Sequence, residues 1–233
     1  PMILMQLKRA WYITRKDMRT YYLKPPLISW GMLFPAVLIL AFYLRDPGDI
    51  RDAIPGLVGM TVLFGATSVE AVAIAFEKRI GAMERLLMAP IAPYALVIAK
   101  VASGTLFGLV TGCLTWSLAS IVWGLPISAA AVVIIFLGSV TFSLLGVFLS
   151  LLVREVFDAM TLSNFFRFPM VFLCGAFLPL GAMAVPLRWI ATFLPLTYTV
   201  DGLRRLLLDG AGAYYPLWLS LAASAAFALG LYV

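Results

Sequence analysis

Apolar runs close to twenty residues long, separated by short clusters of charge, limit what this chain can become more than any other feature. A helix needs about 20 apolar residues to cross roughly 30 Å of hydrocarbon. With 63% hydrophobic residues, 12% charged residues and a mean hydropathy of +1.02, the chain falls in the membrane class and not among water-soluble globules. Its 233 residues leave room for about six such spans joined by short loops, with no space for a separate soluble domain. The expectation is one all-α integral membrane domain covering 1–233.

Composition narrows the chemistry further. The net charge of +6 lies in segments that flank the spans, where anionic lipid headgroups and orientation during insertion explain it without nucleic acid. Histidine is absent, which removes His-based triads and most zinc sites. Cys113 and Cys174 fall within expected spans without a CxxC partner and read as small buried hydrophobes. The first twenty residues are amphipathic and charged, unlike a signal peptide.

Residues 3–23 read as a helix lying on the membrane surface. Leu4, Leu7, Trp11, Met18 and Tyr22 recur on one side at helical spacing, and Lys8, Arg9, Arg15, Lys16 and Arg19 spread over the other. Lys24-Pro25-Pro26 ends this helix, because proline excludes helix from the residue before it and lacks a donor. Spans are expected at about 27–44, 55–76, 94–122, 128–153, 165–179 and 214–233, with the charged loop RDPGDIRD after the first and a tight GLP turn after the third. Residues 179–213 mix prolines with amphipathic pieces. They read as short helices re-entering the outer membrane face, where irregular backbone must be satisfied by protein or water. The last span runs to Val233 without a basic anchor, so a short further tail is expected.

Six spans put both termini on one side. The N-terminal segment and the loops after spans two and four, counted with their span ends, hold twelve of the 17 Lys and Arg, while Arg45, Arg51, Arg188, Arg204 and Arg205 lie opposite. The positive-inside rule therefore makes both termini cytoplasmic, in a multi-pass protein of the plasma membrane.

On that cytoplasmic side stands EKRIGAMERLLMAP, residues 77–90, with five charges in nine positions. Wound as one helix over 76–88, it presents an apolar arc of Phe76, Ile80, Met83, Leu86 and Leu87 and a charged face of Glu77, Lys78, Glu84 and Arg85, with Arg79 on the apolar side. Pro90 and Pro93 close it. Two readings follow from these residues alone: a solvated helix that joins two spans, or a docking element for a soluble partner. The chain holds no GxxxxGK[ST] phosphate loop, since none of its five lysines has that context.

The run EKRIGAMERLLMAPIAPYALVIAK resembles the signature cytoplasmic segment of the ATP-binding-cassette type-2 permeases, E-[KR]-x-x-G-[TA]-x-E-[RK]-L-[LM]-x-[AT]-P leading into the third span. The later run FLCGAFLPLGAMAVPLRWIATFLPLTYTVDGLRRLLLDG is similar to the other hallmark of that family. The resemblance implies that Glu77, Lys78, Gly81, Glu84, Arg85, Leu86 and Pro90 form a coupling helix against a separate ATP-binding subunit, which the N-terminal helix also contacts. It places Pro179, Leu187, Arg188, Trp189, Pro195, Leu196, Thr197, Tyr198, Asp201 and Arg204 in the re-entrant outer region. It further implies a half-size exporter in which two copies of the chain pair with two ATPase subunits. ATP and Mg2+ belong to the partner, and this chain carries no cofactor, metal or catalytic residue of its own.

The expected cargo is an amphiphilic small molecule such as a drug or lipid, because the short outer loops offer little for a polymer to engage. A lipid-linked polysaccharide exporter is the alternative within the family, and an ATP-independent channel or membrane scaffold the alternative outside it. Glu70, the one acid inside an expected span, either lines the substrate path or reaches toward Lys78 and the headgroups. Gly104, Gly108 and Gly112 repeat every fourth residue and suit close helix packing, within one subunit or at a dimer seam. Trp116, Trp123, Tyr214, Tyr215 and Trp218 fit interfacial belts. Arg154, Glu155 and Asp158 make either a second cytoplasmic contact or a solvated loop.

Overall fold

A computed structural model describes residues 2–24, 37, 39–41, 44 and 50–232. The first expected span, 27–44, and the loop residues 45–49 lie almost wholly outside the described residues. Among the described residues every regular element is helical. In chain order these are α1 (Met2–Asp17), extended by a π-turn over Met18–Tyr22, then α2 (Ile50–Arg79), α3 (Ala82–Met88), α4 (Pro93–Trp123), α5 (Ala129–Leu152) and α6 (Val156–Leu173). A 3-10 turn at Leu180–Ala182 leads to α7 (Val185–Thr192), α8 (Pro195–Leu207) and α9 (Leu217–Tyr232).

Three of them, α2, α4 and α5, are long and apolar enough to cross a bilayer. The 30 residues of α2 give it a length of about 45 Å, and it forms the axis of the bundle, packed on α4, α5, α6 and α8. Ile54, Val58, Val62 and Leu63 of α2 meet Ile134, Ile135 and Phe142 of α5, Met170 and Val171 of α6, and Leu196, Val200 and Leu203 of α8 in one core. Hydroxyl groups enter this apolar interior by bonding their own helix: Thr61, Thr67, Ser103, Thr111, Thr115 and Ser139 each donate to the carbonyl four residues back.

The glycine stripe of α4 is an intramolecular device. A Cβ on Gly104 would lie 2.4 Å from Ser143 Oγ and 2.9 Å from the Ala66 carbonyl, and one on Gly112 would lie 2.5 Å from Val62 Cγ2 and 2.9 Å from Ile135 Cγ2. The three glycines thus let α4 sit against α2 and α5 at once, which decides between the two sequence readings in favour of packing within one chain. At its far end α4 stops at Gly124, whose φ of 65° continues into the GLP turn. Arg51 in the first turn of α2 donates to the Trp123 carbonyl there, a cation on the negative end of a helix.

Several boundaries differ from the sequence expectation. Among the described residues helix α2 runs from Ile50, so Arg51 and Asp52 of the expected loop are helical. Helix α6 begins at Val156 and ends at Leu173, instead of running from about 165 to 179. From Val156 on, the polar REVFDAMTLSN segment is helical because its small and polar residues Ala159 and Ser163 continue the buried stripe of Arg167, Met170 and Val171, while Phe157, Phe165, Phe168 and Phe172 face outward. At 16 residues, α9 is about 24 Å long.

Gly104→Val is expected to destabilise the bundle by about 1–3 kcal/mol through overpacking against Ser143 and Ala66. Gly230→Ala, where a Cβ meets nothing within 4 Å, serves as the control. The midpoint of thermal unfolding in detergent micelles measures both.

Candidate functional site: an ion-paired joint beneath a short surface helix

The stretch 76–88 is two elements, not one. Phe76, Glu77, Lys78 and Arg79 are the last turn of α2, and the chain breaks at Gly81, whose φ of 68° glycine adopts at little cost. Only then does α3 run from Ala82 to Met88. Helical periodicity continues in register across the break, which is why the two pieces read as one.

That break puts the charges in different places. Glu77 is 0% exposed, so its assignment to a charged outer face is corrected: it lies inside, where α1, α2 and α4 converge. Lys100 of α4, 2% exposed, donates to Glu77 Oε2 at 2.6 Å and to Asp17 Oδ2 of α1 at 2.7 Å. Lys16 closes the ring, 2.5 Å from Glu77 Oε1 and 2.7 Å from Asp17 Oδ1. The second of these contacts lacks hydrogen-bond alignment, so Oδ1 is compensated by charge alone. Two cations and two carboxylates cancel, which is the condition under which ionised groups can be buried at all. Burial works against the Lys16 ammonium, but its close pairing with Asp17 and with Glu77 outweighs that and holds its pKa above the ordinary value.

Two tyrosines extend the joint. The π-turn widens the end of α1 and brings Tyr21 and Tyr22 onto α2. Tyr21 donates to Glu77 Oε1 at 3.3 Å, and burial together with the Glu77 charge pushes its hydroxyl up to about 12. Tyr22, fully buried against Phe107, donates to Glu70 Oε2. Glu70 is itself 1% exposed and lines no open path in this conformation. Nor does it reach Lys78, whose ammonium donates instead to the Ser150 carbonyl at the end of α5, 2.6 Å away.

Above this joint α1 is fastened to α4 and to the chain leading into it. Thr14 donates to the Ala99 carbonyl at 3.0 Å, Arg9 to the Pro90 carbonyl, and the Gln6 side chain accepts from the Ala92 amide at 3.2 Å. The buried face of α1 is therefore Ala10, Ile13, Thr14 and Asp17, while Leu7 and Trp11 of the expected apolar face remain exposed. Met83 and Leu86 of α3 pack on Ala10, Ile13, Leu96 and Ala99. The opposite side of α3 is open, with Glu84, Arg85, Leu87 and Met88 exposed. Arg79, exposed at the end of α2, faces that helix's negative terminus.

At the other end of the bundle the predicted outer residues form a braced cap. Asp201 accepts from the Tyr214 and Tyr215 amides at 2.8 and 2.9 Å, and Tyr198 donates to the Thr192 carbonyl at 2.9 Å. Arg188 donates to the Gly181 and Met183 carbonyls and lies over the Tyr214 ring. Arg204, 2% exposed, donates to the Asp52 carbonyl at 3.3 Å. Pro179 precedes the 3-10 turn, Pro195 opens α8, and Trp189 stands exposed on α7.

Sequence reasoning missed Asp17, Lys100 and Tyr22. Asp17 is the one acid in an otherwise basic helix and Lys100 the one charge within the 94–122 run, and ionisable residues at membrane depth seek each other. The family model described as ABC-2 type transporter matches residues 8–208, taking in the joint, α3 and the outer cap except Tyr214 and Tyr215. No curated protein matches the chain.

Lys100→Met leaves Asp17 and Glu77 short of a counter-ion and is expected to cost about 3–5 kcal/mol. Adding Asp17→Asn and Glu77→Gln should recover most of the loss. Trypsin cleavage within residues 15–24 reports the release of α1, rising in the single variant and falling back in the triple.

Proposed function

The chain belongs to the ABC-2 type transporter family and is a permease component of an ABC transporter, and from that premise we propose an ATP-driven exporter of an amphiphilic small molecule. Two copies of this half-size permease pair with two ATP-binding subunits in the plasma membrane, with both termini cytoplasmic. ATP and Mg2+ are held by the partner subunit, and this chain converts the partner's movement into a rearrangement of its helices.

The observation that carries the reading is the placement of α3. Its outer face offers exposed Glu84, Arg85, Leu87 and Met88, a mixed apolar and charged surface suited to a protein partner. Its inner face seats Met83 and Leu86 on α1 and α4, next to the joint that ties both to α2. A partner that displaces α3 therefore moves three helices together, because the buried ion pairs cannot separate without stranding charge. Gly81 and Pro90, one at each end of α3, let the short helix be positioned independently of the two long ones. Within this reading Glu77 and Lys78 act behind the docking surface, Glu84 and Arg85 upon it.

Glu84→Lys combined with Arg85→Glu tests the docking claim. Both side chains are exposed, so the fold should be unchanged. Affinity for the ATPase subunit is expected to fall about tenfold or more, as rim charges of opposite sense meet the partner. Unchanged binding and unchanged ATP-dependent uptake into inverted vesicles would exclude α3 as the coupling element. Transport by the chain alone, without an ATPase subunit, would favour a channel.

A further inference from the structure

Arg167 has no role in the joint, in the outer cap or on α3. It lies eleven residues into α6, about 16 Å along the helix axis, and is 5% exposed. Its Nε donates to Thr67 Oγ1 of α2 at 2.6 Å, one terminal nitrogen lies 3.3 Å from Asn164 Oδ1, and the guanidinium rests over the Phe64 ring. The other terminal nitrogen is buried without a hydrogen-bond partner. Among the described residues no carboxylate pairs with it: the buried acids of this end of the bundle are committed elsewhere, Asp17 and Glu77 to Lys100 and Lys16 and Glu70 to Tyr22, while Glu84, Glu155 and Asp158 are exposed.

A second donor stands one turn away. Ser163, four residues before Arg167 on the same buried stripe, is 1% exposed and its hydroxyl is also unpartnered. Thr105, Ser120 and Ser220 also carry buried, unpartnered hydroxyls, so what marks Ser163 is its place one turn from a buried guanidinium with a donor to spare. A water molecule would satisfy the hydrogen bond but leave the charge uncompensated, and a buried cation needs an anion. Beside this polar pair the exposed face of α6 is a strip of aromatic rings, Phe165, Phe168 and Phe172. Acidic head and apolar tail would both find a complement on one helix.

We propose that the seam between α2 and α6 binds the acidic head of a membrane-embedded amphiphile, with Arg167 supplying the charge and Ser163 a second hydrogen bond. The proposal rests on the permease reading only in taking this amphiphile to be cargo. Phosphate, sulfate and carboxylate heads share the required chemistry, since each offers two acceptor oxygens to a guanidinium fork.

The test uses the full chain in phosphatidylcholine nanodiscs and three radiolabelled probes with one tail: dodecyl phosphate, dodecanol and dodecyltrimethylammonium. Wild-type protein is expected to bind dodecyl phosphate about tenfold or more tightly than the cationic probe. Arg167→Met should remove that preference, Arg167→Lys should keep part of it, and Ser163→Ala should weaken dodecyl phosphate alone by about threefold to tenfold. If Arg167→Met fails to fold, Ser163→Ala carries the test. Adding phosphatidylglycerol to the discs separates two sources of the anion: loss of dodecyl phosphate binding assigns the seam to a bilayer lipid, and retention assigns it to a free acidic amphiphile. Equal affinity for all three probes, or a preference untouched by Arg167→Met and Ser163→Ala, overturns the proposal. Because binding is read without ATP or a partner subunit, a failure of the exporter reading leaves this outcome separately legible.

Discussion

One ammonium group at membrane depth organises half of this molecule. Lys100 cannot be buried as an ion without acceptors, and it takes one carboxylate from α1 and one from α2. A single pair would have joined two helices; a cation shared between two acids joins three. The second cation, Lys16, brings the cluster to neutrality, and Tyr21 supplies a further donor. Removing Asp17, Glu77 or Lys100 leaves the others in surroundings where water cannot replace the lost charge, whereas Lys16 stands at the exposed edge of the cluster. This is why α1, a short amphipathic element that would otherwise float on a membrane surface, has a fixed position against α4.

The seating of α3 depends on that fixed position. Its own seven residues are too few to hold a helix in isolation. They are held because Met83 and Leu86 close over Ala10 and Ile13, which the joint keeps in place together with the bonds from Gln6, Arg9 and Thr14. The chain has thus set an exposed surface helix upon buried charges. Hydrophobic packing sets the bundle, and ion pairing sets what rides on its end.

Much of the fold was legible in the residues because long apolar runs leave little choice. Helices α4 and α5 lie within one residue of the expected 94–122 and 128–153, bounded by Gly124 and by the Ser128 cap. The start of α6 was misread because Arg154, Glu155 and Asp158 look like loop, whereas the buried stripe beyond them is carried by small residues with little hydropathy signal. The joint was not legible at all as a set. Its partners stand 83, 61 and 23 residues apart, so their meeting is a result of helix packing and not of spacing. What sequence alone could supply was the anomaly of each charge taken singly, and Arg167 shows that an anomaly can be counted toward orientation while its chemistry goes unread.

The uninterrupted length of α2 has one more consequence. Near its first turn the Asp52 carbonyl holds Arg204 of the outer cap, and near its last turn Glu77 holds Lys100, with no glycine or proline kink breaking the helix between those points except Pro55 close to its start. The two ends of the molecule therefore share one continuous helical backbone, about 45 Å long, with hydrogen-bonded turns and not a loop between the braced cap and the ion-paired joint.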